Sequence, residues 1–185
     1  MFLVDLVKEL YGSLRHPTGR FNYLQGMLRN LPGQVGMKLR SRILPKYFAS
    51  CGENLSIQEG VRFINIHKVS LGSHIVLGNG SFLQGAGGIE IGDHVLLGPD
   101  VKIWSTNHRF DDVTKPILEQ GYENKKITIE RHVWLGANVI VLPGVHLPEG
   151  CIVSAGSVVG IKKYPPFSIL AGNPARVVGN RLKQR

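Results

Sequence analysis

Cysteine is scarce in this 185-residue chain, and the two present, Cys51 and Cys151, stand a hundred residues apart. Such a pair supports neither a disulfide framework nor a multi-cysteine zinc site and suits a reducing compartment, so a cytoplasmic protein is expected. Long apolar runs are missing as well. Met1-Phe2-Leu3-Val4 is interrupted by Asp5, Lys8 and Glu9, well short of the ~18 apolar residues of a membrane span. The start also lacks a signal peptide's basic residues and long apolar stretch, so no export is expected. Acidic residues are few, 13 against 22 Lys and Arg for a net charge of +9, and residues 162–185 hold none. No basic patch is interleaved with aromatics and no glycine-rich loop is spaced to cradle a phosphate, so the charge does not point to nucleic acid.

Glycine is what the chain has in excess. At 23 of 185 residues it exceeds the usual ~7%, without a collagen period, which requires turns that recur. An aliphatic residue does recur every six positions, usually followed by glycine or another small residue: Leu71-Gly72, Leu77-Gly78, Leu83-Gln84 and, after two extra residues at Ile89-Glu90, Ile91-Gly92, Leu97-Gly98, Ile103-Trp104. After an interruption the period returns at Ile129, Leu135-Gly136, Val141, Leu147 and Val153, and weaker copies begin at Cys51, Ile57 and Phe63. An amphipathic helix needs apolar spacings of three and four, whereas six suits a short strand plus a turn. Three units close a triangular coil, and stacked coils bury the aliphatic column while Gly, Asn and Asp take the corners. The expected fold is an all-β parallel β-helix.

The pattern resembles the hexapeptide-repeat acyltransferases, which implies a left-handed parallel β-helix, an exception to the usual crossover hand. The resemblance covers roughly residues 51–178. The expected organisation is an N-terminal helical cap over residues 1–48, the β-helix over 49–178 with a loop insertion at 109–126, and a basic tail over 179–185. Within the cap, Phe2, Leu3, Leu6, Val7 and Leu10 form an amphipathic start, and a second helical stretch lies near Val35–Lys46. Eight Lys and Arg against Asp5 and Glu9 give residues 1–48 a local net charge of +6. Two readings stay open: a cover for the open first coil, or a basic segment resting on anionic lipid at the inner face of the membrane.

The period breaks between His108 and Ile127, and insertions are where solenoids carry function. Ser105-Thr106-Asn107-His108, the loop, and then Ile129-x-x-x-Val133-Trp134-Leu135-Gly136-Ala137 resemble the sugar O-acetyltransferase branch, which includes galactoside, maltose and colanic acid or capsule acetyltransferases. The loop's Pro116-Ile117-x-x-Gln120-Gly121 is similar to the exopolysaccharide members. The resemblance implies that His108 is the general base, and the chemistry agrees: a sugar hydroxyl ionises far above neutral pH, and imidazole is matched to removing its proton as a C–O bond forms. Expected acceptor contacts are Gln84, Trp104, Asn107 and Glu119, the last orienting the imidazole or simply solvated. By resemblance, the backbone N–H of Gly136 or Ala137 stabilises the oxyanion. Cys151, at an inward-facing position, is expected to be core rather than a nucleophile.

Acetyl-CoA is the expected donor. Its phosphates need cations, and Lys162, Lys163 and Arg176 lie in the acid-free segment. Pro165-Pro166-Phe167-Ser168-Ile169-Leu170-Ala171-Gly172-Asn173-Pro174-Ala175-Arg176 resembles the family's closing signature, which implies that Arg176 sits near the nucleotide and that Ala155 and Ser157 line the pantetheine groove. The family's usual Thr-Lys after the last repeat is Gly160-Ile161 here, with the lysines shifted by one. His74, His94 and His132 fall at equivalent repeat positions and so stack in one column, which raises a zinc site. The H-x4-H element of β-helical zinc enzymes is missing and Asn138 takes the same repeat position, so a polar turn column and no metal are expected. His16, His67 and His146 have no partner pattern. The resemblance also implies a homotrimer with donor and acceptor between neighbouring β-helices. The expected activity is O-acetylation of a sugar in a bacterial surface polysaccharide or its lipid-linked precursor. An amino-sugar or xenobiotic acetyltransferase and a non-catalytic structural β-helix are the alternatives.

Overall fold

The computed structural model describes residues 2–183 and, for side chains, residues 5–183. From the start of the first weak repeat the chain winds in stacked coils, each contributing one short strand to each of three parallel sheets. The first sheet stacks Ser50–Cys51, Val69–Leu71, Ile89–Ile91, Ile127–Ile129 and His146–Leu147. The second begins with Ser56–Ile57 and Val76–Leu77, passes through Leu96–Leu97, Trp134–Leu135 and Ile152–Val153, and ends with Ser168–Ala171 and Arg176–Asn180. The third holds Arg62–Ile64, Phe82–Gln84, Lys102–Trp104, Ile140–Val141 and Val158–Val159.

Register explains the six-residue period. Ile57, Leu77, Leu97, Leu135 and Val153 are successive partners up the second sheet, and Phe63, Leu83, Ile103, Val141 and Val159 up the third, all buried. One aliphatic residue per edge therefore meets its counterpart one coil away, and the columns form a continuous core. Cys151 is fully buried in this core.

The corners account for the histidine column. Between the first and second sheets the residue at the bend has a left-handed backbone in every coil: Asn54 (φ 57°), His74 (60°), His94 (56°), His132 (60°) and Gly150 (71°). Only glycine or a short polar side chain takes that conformation readily, so this position is chosen by the backbone. The rings of His74 and His94 stack at 4.6 Å with 4° between planes, and His94 and His132 lie 5.4 Å apart. The parallel rings of His74 and His94 hold their in-plane lone pairs side by side rather than aimed at one point, while the His132 ring is tilted by 34° from that of His94.

Three helices precede the coils: α1 (Phe2–Arg15), α2 (Pro17–Arg29) and α3 (Gly33–Ile43), followed by a short turn of 3-10 helix at Leu44–Tyr47. The sequence pattern marked the first and third and missed α2, which has a weak apolar stripe but packs Phe21, Gln25 and Leu28 inward. These helices satisfy the open edge of the first coil with side chains. Gln25 accepts from the Phe63 N–H at 2.6 Å and donates to its carbonyl at 3.2 Å; Ser41 accepts from the Ile57 N–H at 3.0 Å. Arg40, 1% exposed, donates to the carbonyls of Ile57, Leu28, Arg29 and Leu31. An unpaired strand edge is thereby closed without another strand. Arg40 is thus no part of a basic surface, and α1 itself carries Asp5 and Glu9 against Lys8 and Arg15. Among the described residues no helix is long and apolar enough to cross a membrane.

At the other end, the segment read as a tail beyond Val178 is ordered through Lys183. The Arg176–Asn180 strand runs antiparallel on Ser168–Ala171, and Arg181 donates to the Gly150 carbonyl at 2.8 Å. Gln184 and Arg185 lie outside the described residues.

Candidate active site

The insertion is a two-stranded ribbon. Thr106–His108 pairs antiparallel with Tyr122–Asn124, setting Thr106 opposite Asn124, Asn107 opposite Glu123 and His108 opposite Tyr122. It springs from the corner between the third and first sheets, directly after Trp104. Buried Ser105 rivets its root, donating to the Gln84 carbonyl at 2.7 Å and accepting from the Gly87 N–H at 2.8 Å. Gly87 is required by proximity: a Cβ there would lie 2.2 Å from the Ser105 carbonyl oxygen and 2.7 Å from the Lys125 nitrogen. Gln120 holds the far loop, donating to the carbonyls of Asp112 and Lys115 and accepting from the Asp112 N–H. The Thr114 hydroxyl and N–H donate to Asp112 and hold its carboxyl below the ordinary aspartate range.

His108 is exposed on this ribbon, and its ring lies 4.5 Å from that of Tyr122 with 40° between planes. Of the two readings of Glu119, an orienting acid or a solvated one, its place in this structure fits the second. Glu119 sits in the short helix Ile117–Glu119 at the ribbon's outer end, and no hydrogen bond joins it to His108 among the described residues. Tyr122 is the residue that touches the imidazole. Asn107 is adjacent in sequence but, by strand alternation, faces the other side of the ribbon. Trp104, 38% exposed, stands at the ribbon root with its ring edge-on to Phe82 at 5.1 Å. Gln84 is its neighbour one coil below, and the Gln84 side-chain oxygen accepts from the Ala86 N–H at 3.0 Å.

Gly136 and Ala137 occupy a different corner, between the second and third sheets. The Gly136 N–H is committed to the Val153 carbonyl at 2.8 Å, so it has no hydrogen to offer an oxyanion, which corrects its assignment. The Ala137 N–H donates to no backbone carbonyl among the described residues. Ala155 lies one coil further along the same corner, exposed, so small side chains keep the surface low there. Ser157 does not line that channel: it is 1% exposed, and its hydroxyl accepts from the Gly172 N–H at 3.1 Å, fastening the closing segment. Its repeat position points inward, as the Cys151 position does. Burial pushes the Cys151 thiol up, which removes it as a nucleophile.

Past the last coil a hollow of about 320 Å³ brings Lys162 and Arg176 together over Tyr164 and Pro174. Tyr164 is buried, which raises its phenol, and it donates to the Gly160 carbonyl at 2.9 Å. Lys163 does not line the hollow. One chain thus unites two cations, and separately places His108 and Ala137 at opposite edges of the third sheet.

Residues 126–160 match the family described as the hexapeptide repeat of succinyl-transferase. A putative acetyltransferase of Schizosaccharomyces pombe is 33% identical over 162 residues, covering 86% of this chain and 76% of that protein. A galactoside O-acetyltransferase of Lactococcus lactis is 36% identical over 138 residues, 73% of this chain and 64% of the relative. A probable acetyltransferase of Mycobacterium tuberculosis is 38% identical over 120 residues, 64% of this chain and 40% of the relative, so the chain spans well under the full length of that protein. The solved structure of a galactoside acetyltransferase in complex with coenzyme A superposes with a TM-score of 0.78 at 25% identity, over 92% of this chain and 82% of the other.

Proposed function

The chain belongs to the hexapeptide-repeat acetyltransferases, and we propose that it transfers an acetyl group from acetyl-CoA to a sugar hydroxyl with His108 as general base. The observation that carries this reading is an exposed imidazole held by a ribbon against Tyr122, in a chain similar to galactoside O-acetyltransferases. His108 removes the hydroxyl proton as the oxygen attacks the thioester carbonyl carbon. The Ala137 N–H stabilises the resulting oxyanion. Collapse breaks the C–S bond, and the imidazolium returns its proton to the departing thiolate. Lys162 and Arg176 hold phosphate oxygens of the donor, and Ala155 leaves room for its pantetheine arm.

His108 and Ala137 lie across the third sheet from each other, so a site using both takes them from two copies, and the working assembly is a homotrimer. The outer faces support copies meeting there. Leu96 and Trp134 on the second sheet are 42% and 48% exposed, and Trp104 projects from the third, while the first sheet turns Ser70, Glu90, Thr128 and His146 outward. The acceptor is a sugar of a bacterial surface polysaccharide or its lipid-linked precursor, modified in the cytoplasm, with Trp104 and Gln84 flanking it at the ribbon root.

Purified protein with acetyl-CoA and a panel of sugars and amino sugars, followed by thiol release, tests this. Sugar-dependent release supports O-transfer. Release with amines alone replaces it with N-transfer, and failure to bind acetyl-CoA leaves a structural β-helix.

A further inference from the structure

A second site lies at the opposite end of the molecule from the Lys162–Arg176 hollow. Between α2 and the first coil runs a groove of about 610 Å³, within the usual volume of small-molecule sites. Thr18, Phe21, Gln25 and Arg29 recur along it at helical spacing, so it follows nearly all of α2, about 18 Å at 1.5 Å per residue. Its floor is apolar and rigid: Phe21, Phe63 and Ile66 are each at most 4% exposed, and the Tyr47 ring stands 5.1 Å from that of Phe21. The Gln25 amide is held by the Phe63 backbone through both its oxygen and its nitrogen, and Asn22, Asn65 and His67 supply the polar groups of the walls.

The rim carries one sign of charge. Arg29 and Arg62 line it, and Lys46 stands over the Tyr47 ring at 5.2 Å. No carboxylate lines the groove; Glu59, close to this edge, is not among its walls. Among the described residues neither guanidinium donates a hydrogen bond or joins an ion pair, and Arg62 packs over the Phe82 ring at 5.6 Å. An elongated apolar slot ringed by unpaired cations is complementary to an apolar body ending in a dianion, and two guanidiniums favour phosphate.

We propose that this groove binds an organic phosphate, with its apolar body along Phe21, Tyr47 and Ile66 and its phosphate oxygens on Arg29 and Arg62. The site does not depend on acetyl transfer, and its test uses binding alone. Calorimetric titration of the full-length protein with octyl phosphate and with uridine 5′-diphosphate is compared with octyl glucoside and uridine, their neutral counterparts. The expected result is saturable binding of a phosphate probe, tighter than its neutral counterpart by about tenfold or more, and weakened by a similar factor in the Arg29→Gln/Arg62→Gln double variant. Arg62→Gln alone, a change at an exposed side chain, keeps the comparison if the double variant unfolds. Binding in His108→Ala equals that of the parent. Octyl phosphate as the tighter probe identifies a lipid-borne phosphate, and the diphosphate a nucleotide. Saturable binding of neither, equal binding of charged and neutral probes, or unchanged binding in the arginine variants overturns the proposal.

Discussion

The imidazole of His108 and the phenol ring of Tyr122 face each other across the ribbon, centroids 4.5 Å apart, as a directly opposed pair in the strand register. The contact limits where the imidazole points before substrate arrives, and orientation of this kind is worth large factors in rate. Tyr122→Ala is expected to lower kcat about tenfold with little change in the KM for acetyl-CoA, whereas Tyr122→Phe keeps the ring and most of the rate. Steady-state kinetics over a pH series checks this. Equal losses in both variants assign the effect to the hydroxyl instead.

The ribbon root is a second point of control. In Gly87→Ala the new methyl meets the Ser105 carbonyl and the Lys125 nitrogen, both backbone atoms that cannot step aside. The expected cost is about 1–3 kcal/mol in urea denaturation, with a loss of activity exceeding the loss of folded protein. Gly26→Ala serves as the control, since a Cβ at Gly26 has nothing within 4 Å.

Donor recognition separates two adjacent lysines. Lys162 shares its hollow with Arg176, and Lys163 does not. Lys162→Ala and Arg176→Ala are each expected to raise the KM for acetyl-CoA about tenfold, and Lys163→Ala less than about twofold. Repeating the measurement with a donor lacking the 3′-phosphate shows which phosphate each cation holds.

The coils were legible because their periodicity is a property of single residues: each aliphatic position fills one place in a column, and each bend needs a left-handed backbone that Asn138, Asp100 or the histidines adopt. Features resting on pairings distant in sequence were not. Gln25 and Phe63 are 38 residues apart, and nothing in the weak stripe of α2 announces that its glutamine completes a strand edge. Tyr122 carries no sequence signal because a ribbon of three residues per strand is too short for alternation to stand out. The places of Ser157 and Gly136 are hidden for another reason. Whether the small Ser157 lines a groove or sits inside, and whether the Gly136 N–H is available, depends on hydrogen bonds to Gly172 and Val153 that the repeat does not display.

The central claim concerns His108, and the most direct measurement is the turnover of His108→Ala beside its affinity for acetyl-CoA. Loss of a positioned base is expected to reduce kcat by about 10²–10⁴ while donor binding, made at other corners of the coil, stays within about twofold. Full acetyl transfer by His108→Ala in a correctly folded protein would contradict the account.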